Sequence, residues 1–106
     1  LMSEISSEPQ PLDIDEIKNV VSAHMNIGSD LMESISRKHE IALARQMAMY
    51  LTKQLTELSL KSIGSHFGGR DHSTALHSCQ AIDNYIVTDR TVKASYEFLL
   101  NKLKNR

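Results

Sequence analysis

The chain of 106 residues has no tryptophan, one cysteine, two prolines and four glycines. A single cysteine, Cys79, excludes an internal disulfide and agrees with a reducing compartment. No apolar run approaches the roughly 20 residues that a transmembrane helix needs, and no alternating strand pattern of useful length is present. The first residues lack a basic region followed by an apolar one, so they do not resemble a signal peptide. We therefore expect a cytoplasmic protein without a membrane span.

The composition that remains favours helix nearly everywhere. Hydrophobic residues make up 41% of the chain, and leucine, alanine, methionine, lysine, glutamine and glutamate are plentiful. Residues 1–12 contain Pro9 and Pro11 among polar residues and predict a linker from an upstream portion that is absent here. Residues 13–106 are long enough for one core, and we predict a single compact all-α domain.

Hydrophobic spacing divides this domain into successive helices. A first helix begins at Asp13 with an apolar stripe through Val21 and ends near Gly28. Ser29 or Asp30 then caps a short helix whose apolar residues include Ile35. The remaining predicted helices run from about His39 to Leu58, from Ser59 to the pair Gly68-Gly69, from Asp71 onward, and from about Arg90 onward, the last presenting Val92, Tyr96, Leu99 and Leu103.

Charge is distributed unevenly although its sum is only −1. Residues 1–36 carry a formal charge of −6, residues 37–77 carry +3 and residues 78–106 carry +2. A local basic face can bind phosphate on a nearly neutral protein, so the sum does not exclude nucleic acid as a partner. The alternative is an ordinary solvated face.

The long helix has an unusual polar side. Its apolar stripe includes Met47, Leu51 and Leu55 at helical spacing. The other side carries a stripe free of carboxylates, formed by Arg45, Met49, Thr52, Lys53 and Thr56. A solvent-facing helix more often mixes both signs, so we predict an additional long helix with a basic face.

A short helix, a glycine turn and a second helix follow one another between Ser59 and Ile86, which is the plan of a helix-turn-helix. Asp71 is placed to cap the second helix by accepting from backbone N–H groups two or three residues on. The polar side chains around that helix start are His72, Ser73, Thr74 and His77. The side that we predict to face the core carries Leu76, Cys79, Ile82 and Ile86. Helices of this kind read the major groove of DNA.

Three other interpretations of this region, as a P-loop, a metal site or a catalytic triad, are not supported by the sequence. The glycine spacing from Gly64 to Asp71 imitates a P-loop but has no preceding strand and lacks its lysine. His72, His77 and Cys79 do not share a helix face and have no paired metal-ligand spacing. No activated nucleophile supports a serine or cysteine triad. We therefore predict no enzyme activity and no metal site in this chain.

The run Gly68-Gly69-Arg70-Asp71-His72-Ser73-Thr74-Ala75-Leu76-His77 strongly resembles the signature of the bacterial replication initiator family DnaA. Ala44-Arg45-Gln46-Met47-Ala48-Met49-Tyr50-Leu51, Leu58-Ser59-Leu60 and Ile63-Gly64 match the family in the same order and spacing. The agreement extends from about Asp13 to the end of the chain. The chain therefore resembles the isolated C-terminal DNA-binding domain of this family. The resemblance implies binding to double-stranded replication-origin boxes of the type TTATNCACA. It also implies that ATP and magnesium belong to an absent ATPase portion, and that other initiator molecules associate through absent domains at the nucleoid.

The resemblance also implies roles for particular residues. Arg37 falls on the family's minor-groove arginine, which suits the negative potential of a narrow A·T-rich groove. The implied major-groove positions, which face base edges or adjacent phosphates, are Asp71, His72, Ser73, Thr74 and His77. The implied phosphate contacts, which set register and affinity, are Arg45, Gln46, Lys53 and Arg70, with Lys61 as a further candidate.

Several positions depart from the family's usual pattern. Ser73 stands where threonine is frequent, so a methyl contact to thymine is lost while the hydroxyl remains. Lys61 and Ala44 each stand where proline is common, and the loop from Arg37 to Glu40 is less basic than usual. We expect the same target class with weaker or altered affinity. The alternative function is a helical protein-interaction module, which would show little preference for the box.

Overall fold

The computed structural model describes residues 12–36 and 38–105. Within those ranges the chain forms five α-helices and one 3-10 turn, without any strand. The helices are α1 (Ile14–Met25), α2 (His39–Leu55), α3 (Leu60–His66), α4 (His72–Thr88) and α5 (Arg90–Lys104), and the 3-10 turn is Ser29–Glu33. The all-α prediction is confirmed. No helix in the described part of the chain is long and apolar enough to cross a membrane.

Side-chain caps fix the start of four helices. Asp13 accepts from Asp15 N at 3.2 Å, and Ser59 accepts from Ser62 N at 3.1 Å. Asp71 accepts from Thr74 N at 2.9 Å, and Asp89 caps α5 through the amides of residues 91 and 92. Each cap satisfies N–H groups that the first turn of a helix leaves without an intrahelical partner. The predicted caps at Ser59 and Asp71 are confirmed.

Two helix ends differ from the prediction. Helix α1 ends at Met25 because Asn26 adopts a left-handed conformation with φ of 57°, which an asparagine tolerates, so Gly28 is not its terminator. Helix α2 ends at Leu55 instead of Leu58, where Thr56 returns to an extended conformation. The predicted short helix after Gly28 is a single 3-10 turn without a side-chain cap, and Ile35 lies beyond it, 93% exposed.

The core surrounds α2, which packs most extensively against α4 and also contacts α1, α3 and the 3-10 turn. Helix α5 packs against α4 and α1. The fully buried side chains of largest volume are Phe67, Ile17, Met32, Met47, Met49, Leu51, Ile63, Ile82, Leu99, Val21 and Thr52. Phe67, at the end of α3, therefore attaches the helix-turn-helix to the rest of the domain.

Neighbouring helices cover much of the predicted basic stripe of α2. Met49 and Thr52 are fully buried, and Arg45 is 7% exposed. Thr52 Oγ1 donates to the Ala48 carbonyl at 2.7 Å within the same helix. Lys53 is the exposed member of the stripe, and Thr56 is half-buried. Arg45, Met49 and Thr52 therefore do not contribute to an exposed basic face, because α2 is a central helix with partners on several sides.

The inward side of α4 also differs in part from the prediction. Ile82 is fully buried, while Cys79 and Ile86 are half-buried. Leu76 is 36% exposed, so its prediction as a core residue was wrong. Small residues, Ala75 and Ser78, take the buried positions near the start of α4. Small side chains allow the start of this helix to lie close to α3.

Candidate DNA-binding surface

The turn between α3 and α4 is held by the backbone of α3. The Gly64 carbonyl accepts from Phe67 N at 3.1 Å and from Arg70 N at 2.9 Å. Gly68 and Gly69 have φ angles of 84° and 71°, a region that glycine adopts without strain. A Cβ atom on Gly64 would lie 2.4 Å from the Arg70 carbonyl oxygen, so α3 and the turn are in direct backbone contact. This geometry places the start of α4 in a fixed position on α3.

The first turn of α4 presents polar side chains to solvent. His72, Ser73 and Thr74 are exposed, and His77 is exposed one turn later. Hydrogen bonds from the backbone and the side chain of Thr74 hold the pKa of Asp71 below its usual value, so this carboxylate is ionised at neutral pH. The structure brings these five predicted site residues together at one end of α4. They offer carboxylate, imidazole and hydroxyl groups, which can pair with base edges in a major groove.

A shallow groove of about 350 Å³ lies between α3 and the start of α4. Its lining residues are Lys61, Ser65, Gly69, Arg70, Asp71 and His72. Lys61 is exposed beside it, next to the predicted base-reading residues. A lysine in this position can attract a phosphate next to the bases that α4 would contact.

Lys53 and Gln46 lie on α2, which packs against α4. Lys53 is exposed, and Gln46 is half-buried. Burial raises the pKa of the Cys79 thiol on α4, the nearby Asp83 raises it further, and Lys53 partly opposes that shift. Lys53 therefore lies near Cys79 on α4, and its assignment as a phosphate contact stays a prediction.

Arg45 and Arg70 point into the protein. Arg45 Nε donates to the Met32 carbonyl at 3.0 Å, and its Nη2 donates to the carbonyls of Ser34 and Ser36 at 3.2 and 2.9 Å. Arg70 Nη2 donates to the same Ser34 carbonyl at 2.7 Å, and its Nη1 donates to the Phe67 carbonyl. Both guanidinium groups thus bind backbone carbonyls. Arg37, the predicted minor-groove residue, lies outside the described residues.

Lys18 is a buried charged residue for which the sequence gives no signal, since it follows the apolar Ile17 in an ordinary helical pattern. Its Nζ donates to Glu33 Oε2 at 2.7 Å and to the His66 carbonyl at 2.5 Å, and it lies 4.6 Å from the centre of the Phe67 ring. These contacts join α1, the 3-10 turn and the end of α3. The pKa of Glu33 is lowered by its hydrogen bond from Lys18 and by the charge of that lysine.

No group of three or more histidine, cysteine, aspartate or glutamate side chains in the described ranges is placed to hold a metal ion. The surface around the start of α4 instead combines exposed hydrogen-bonding groups with Lys61. Its arrangement suits contact with a polyanion that carries a readable pattern of donors and acceptors.

Comparisons with known proteins identify the family of this domain. The family described as "Bacterial dnaA protein helix-turn-helix" matches residues 14–82. The chromosomal replication initiator protein DnaA of Treponema pallidum is 37% identical over 101 residues, which cover 95% of this chain and 22% of the relative. The protein of the same name from Chromobacterium violaceum is 44% identical over 92 residues, covering 87% of this chain and 20% of the relative. The chain spans about a fifth of the length of these relatives. It belongs to the bacterial DnaA helix-turn-helix family of DNA-binding domains.

Proposed function

We propose that this domain binds double-stranded DNA at replication-origin boxes of the type TTATNCACA. It would act as the DNA-binding part of an initiator whose ATPase portion, with ATP and magnesium, lies outside this chain. The observation that carries the proposal is the capped start of α4, where exposed side chains of several hydrogen-bonding types converge beside Lys61. The partners in this proposal are the origin boxes and other initiator molecules, and the site of action is the bacterial nucleoid in the cytoplasm.

In the proposed complex the start of α4 enters the major groove. Asp71 can accept from cytosine N4, His72 can donate to a purine N7 or O6, and the Thr74 methyl group can touch a thymine methyl. Ser73 retains a hydroxyl but offers no methyl, which favours a somewhat different preference at its base pair. Arg37 is assigned to the adjacent minor groove on the resemblance alone. Lys53 and Lys61 would contact phosphates and set the register of α4.

The test is fluorescence anisotropy of the domain on a duplex that carries TTATCCACA and on a scrambled duplex, each at two salt concentrations. Binding that prefers the box by about 10³-fold or more, with affinity falling steeply as salt rises, supports the proposal. Binding to neither duplex contradicts it and favours the protein-interaction module.

Two variants separate base reading from phosphate contact. We expect His72→Ala to cost roughly 1–3 kcal/mol on the box and to relax discrimination at one base pair. We expect Lys53→Ala to weaken binding to both duplexes similarly and to reduce the salt dependence by about one phosphate contact. Equal losses on box and scrambled DNA for His72→Ala would show that this residue does not read a base.

A further inference from the structure

Two arginines from different parts of the chain converge on one backbone oxygen. Arg45, on α2, and Arg70, in the turn before α4, both donate through Nη2 to the Ser34 carbonyl, at 3.2 and 2.7 Å. Arg45 additionally binds the carbonyls of Met32 and Ser36, so its planar fork spans the whole segment 32–36. Such a set of simultaneous bonds suits the rigid guanidinium group better than the compact ammonium of lysine.

Arg45 is poorly placed to bind a phosphate. It is 7% exposed, and burial together with the charge of Arg70 lowers its pKa. The cost of burying a charge is offset by hydrogen bonds to carbonyl dipoles, which its Nε and Nη2 make in this structure. A phosphate contact through these nitrogens would require the segment 32–36 to give up its bonds.

Further contacts attach the same segment to the helix-turn-helix. A Cβ atom on Gly68 would lie 2.3 Å from the Glu33 carbonyl oxygen, which shows that the turn packs directly on the backbone of the segment. Inside the segment, Ser36 N donates to Ser34 Oγ at 3.2 Å, and Lys38 N donates to Ser36 Oγ at 3.3 Å. The segment 32–36 and the turn are therefore joined both by backbone packing and by the hydrogen bonds of the two arginines.

We propose that Arg45 and Arg70 are positioning residues that set the place of the segment 32–36 relative to the start of α4. The proposal rests on the proposed DNA-binding function, because its purpose is to hold the approach to Lys38 and the start of α4 at a fixed spacing before DNA arrives. The segment leads to Lys38, an exposed cation at the start of α2, while the turn leads to the base-reading side chains. Preorganisation of this kind avoids an ordering cost at the moment of binding.

A phosphate contact and a positioning role make different predictions for conservative variants. A lysine in place of Arg45 keeps the positive charge but cannot span three carbonyls. If Arg45 bound phosphate, Arg45→Lys would keep most of the affinity, and Arg45→Gln would lose affinity equally on all duplexes. If Arg45 positions the segment, both variants lose affinity for the box, and binding to scrambled DNA changes little.

The first experiment measures hydrogen exchange at the amides of Ser36 and Lys38 in the free domain, for the natural sequence, Arg45→Lys and Arg70→Lys. The second measures anisotropy of the same proteins on box and scrambled duplexes, below the melting temperature of every variant. Lys53→Ala is the matched control, since it removes an exposed cation from the same helix as Arg45 without touching the segment. If Arg45→Lys does not fold, Arg70→Lys provides the same test, because Arg70 is less buried and its substitution disturbs the core less.

We expect both lysine variants to exchange these two amides at least tenfold faster than the natural sequence, and Lys53→Ala to leave them unchanged. We also expect the preference for the box to fall about tenfold or more in the lysine variants, with an unchanged salt dependence. Unchanged amide exchange, or box affinity retained in both lysine variants, overturns the proposal. If the natural domain binds no DNA, the proposed function fails, while amide exchange still shows whether the two arginines hold the segment.

Discussion

Gly64 is the residue at which a single methyl group should disturb the helix-turn-helix most directly. It lies inside α3, where alanine would ordinarily be the better helix former. A Cβ atom there would lie 2.4 Å from the Arg70 carbonyl oxygen and 2.9 Å from that of Asp71. Both neighbours are backbone atoms, so no side-chain rotation relieves the contact. Gly64→Ala therefore has to push the turn away from α3.

The size of the effect follows from three contributions. The Arg70 carbonyl must retreat by about 0.6 Å to reach even 3.0 Å, below which real Cβ contacts are essentially never seen. Overpacking of this kind costs about 1–3 kcal/mol, and a weakened bond from Arg70 N to the Gly64 carbonyl adds about 1 kcal/mol. Better helix propensity returns about 1 kcal/mol. We expect a net loss near 2 kcal/mol, which lowers the melting temperature of a domain of this size by about 8–16 °C.

The assay is thermal and urea unfolding followed by circular dichroism, with Gly28→Ala as the control. A Cβ atom on Gly28 would meet the Asp30 Oδ1 atom at 2.8 Å, and that atom is the mobile end of a side chain. We expect Gly28→Ala to change stability by less than about 0.5 kcal/mol. The reasoning is refuted if Gly64→Ala melts within about 2 °C of the natural sequence, since the turn would then be free to move without cost.

Three further changes test other contacts of the fold. Lys18→Met keeps an apolar stem but removes two hydrogen bonds and one ring contact, so we expect urea unfolding to show a loss of about 1–2 kcal/mol. Lys93→Met, at an exposed position of α5, should change nothing measurable. Tyr50→Phe removes the 2.6 Å bond to Asp83 that joins α2 to α4 and should cost about 1 kcal/mol, whereas an unchanged free energy of unfolding would show that this bond is not maintained in solution. The pKa of Asp71 is lowered from 3.8, so its cap stabilises α4 above about pH 4 and fades as pH falls through the lowered value. The stability difference between the natural sequence and Asp71→Asn should therefore shrink in unfolding measurements from about pH 5 to pH 2, and a constant difference would contradict the lowered pKa.

Features carried by local chemistry were predictable from the sequence. The caps at Ser59 and Asp71 need only an oxygen at the residue before a helix and free amides beyond it, and both are where the sequence indicates. Gly68 and Gly69 mark the turn because their φ angles favour glycine. The end of α1 was predicted near Gly28, but the helix ends at Met25 and is terminated by the left-handed Asn26, because asparagine also tolerates that conformation and no periodic signal separates the two.

Features that depend on which helix covers which face could not be predicted from spacing. Arg45 lies on a largely polar stripe of α2, yet Arg45, Met49 and Thr52 of that stripe are buried. The hydrogen-bond partners of Arg45 are backbone carbonyls, which residues of any type supply, so the sequence does not mark them. Leu76 lies on an apolar stripe but is 36% exposed, whereas its neighbours Ala75 and Ser78 are buried. Tertiary packing determines whether a charged side chain is buried or a leucine is exposed, so residue type alone assigns the wrong burial to Arg45 and Leu76.

The internal use of two arginines has a consequence for how a chain of net charge −1 binds a polyanion. The guanidinium groups that bind the Ser34 carbonyl contribute little to phosphate neutralisation, so exposed lysines such as Lys61 on α3 and Lys53 on α2 must supply most of the attraction. Few phosphate contacts give modest non-specific affinity. In the proposed complex, discrimination then depends on how accurately the side chains proposed to read bases are held, and the close approach at Gly64, the cap at Asp71 and the bonds to Ser34 all fix that position. On this reasoning, rigidity of the turn contributes more to specificity than the total charge of the surface.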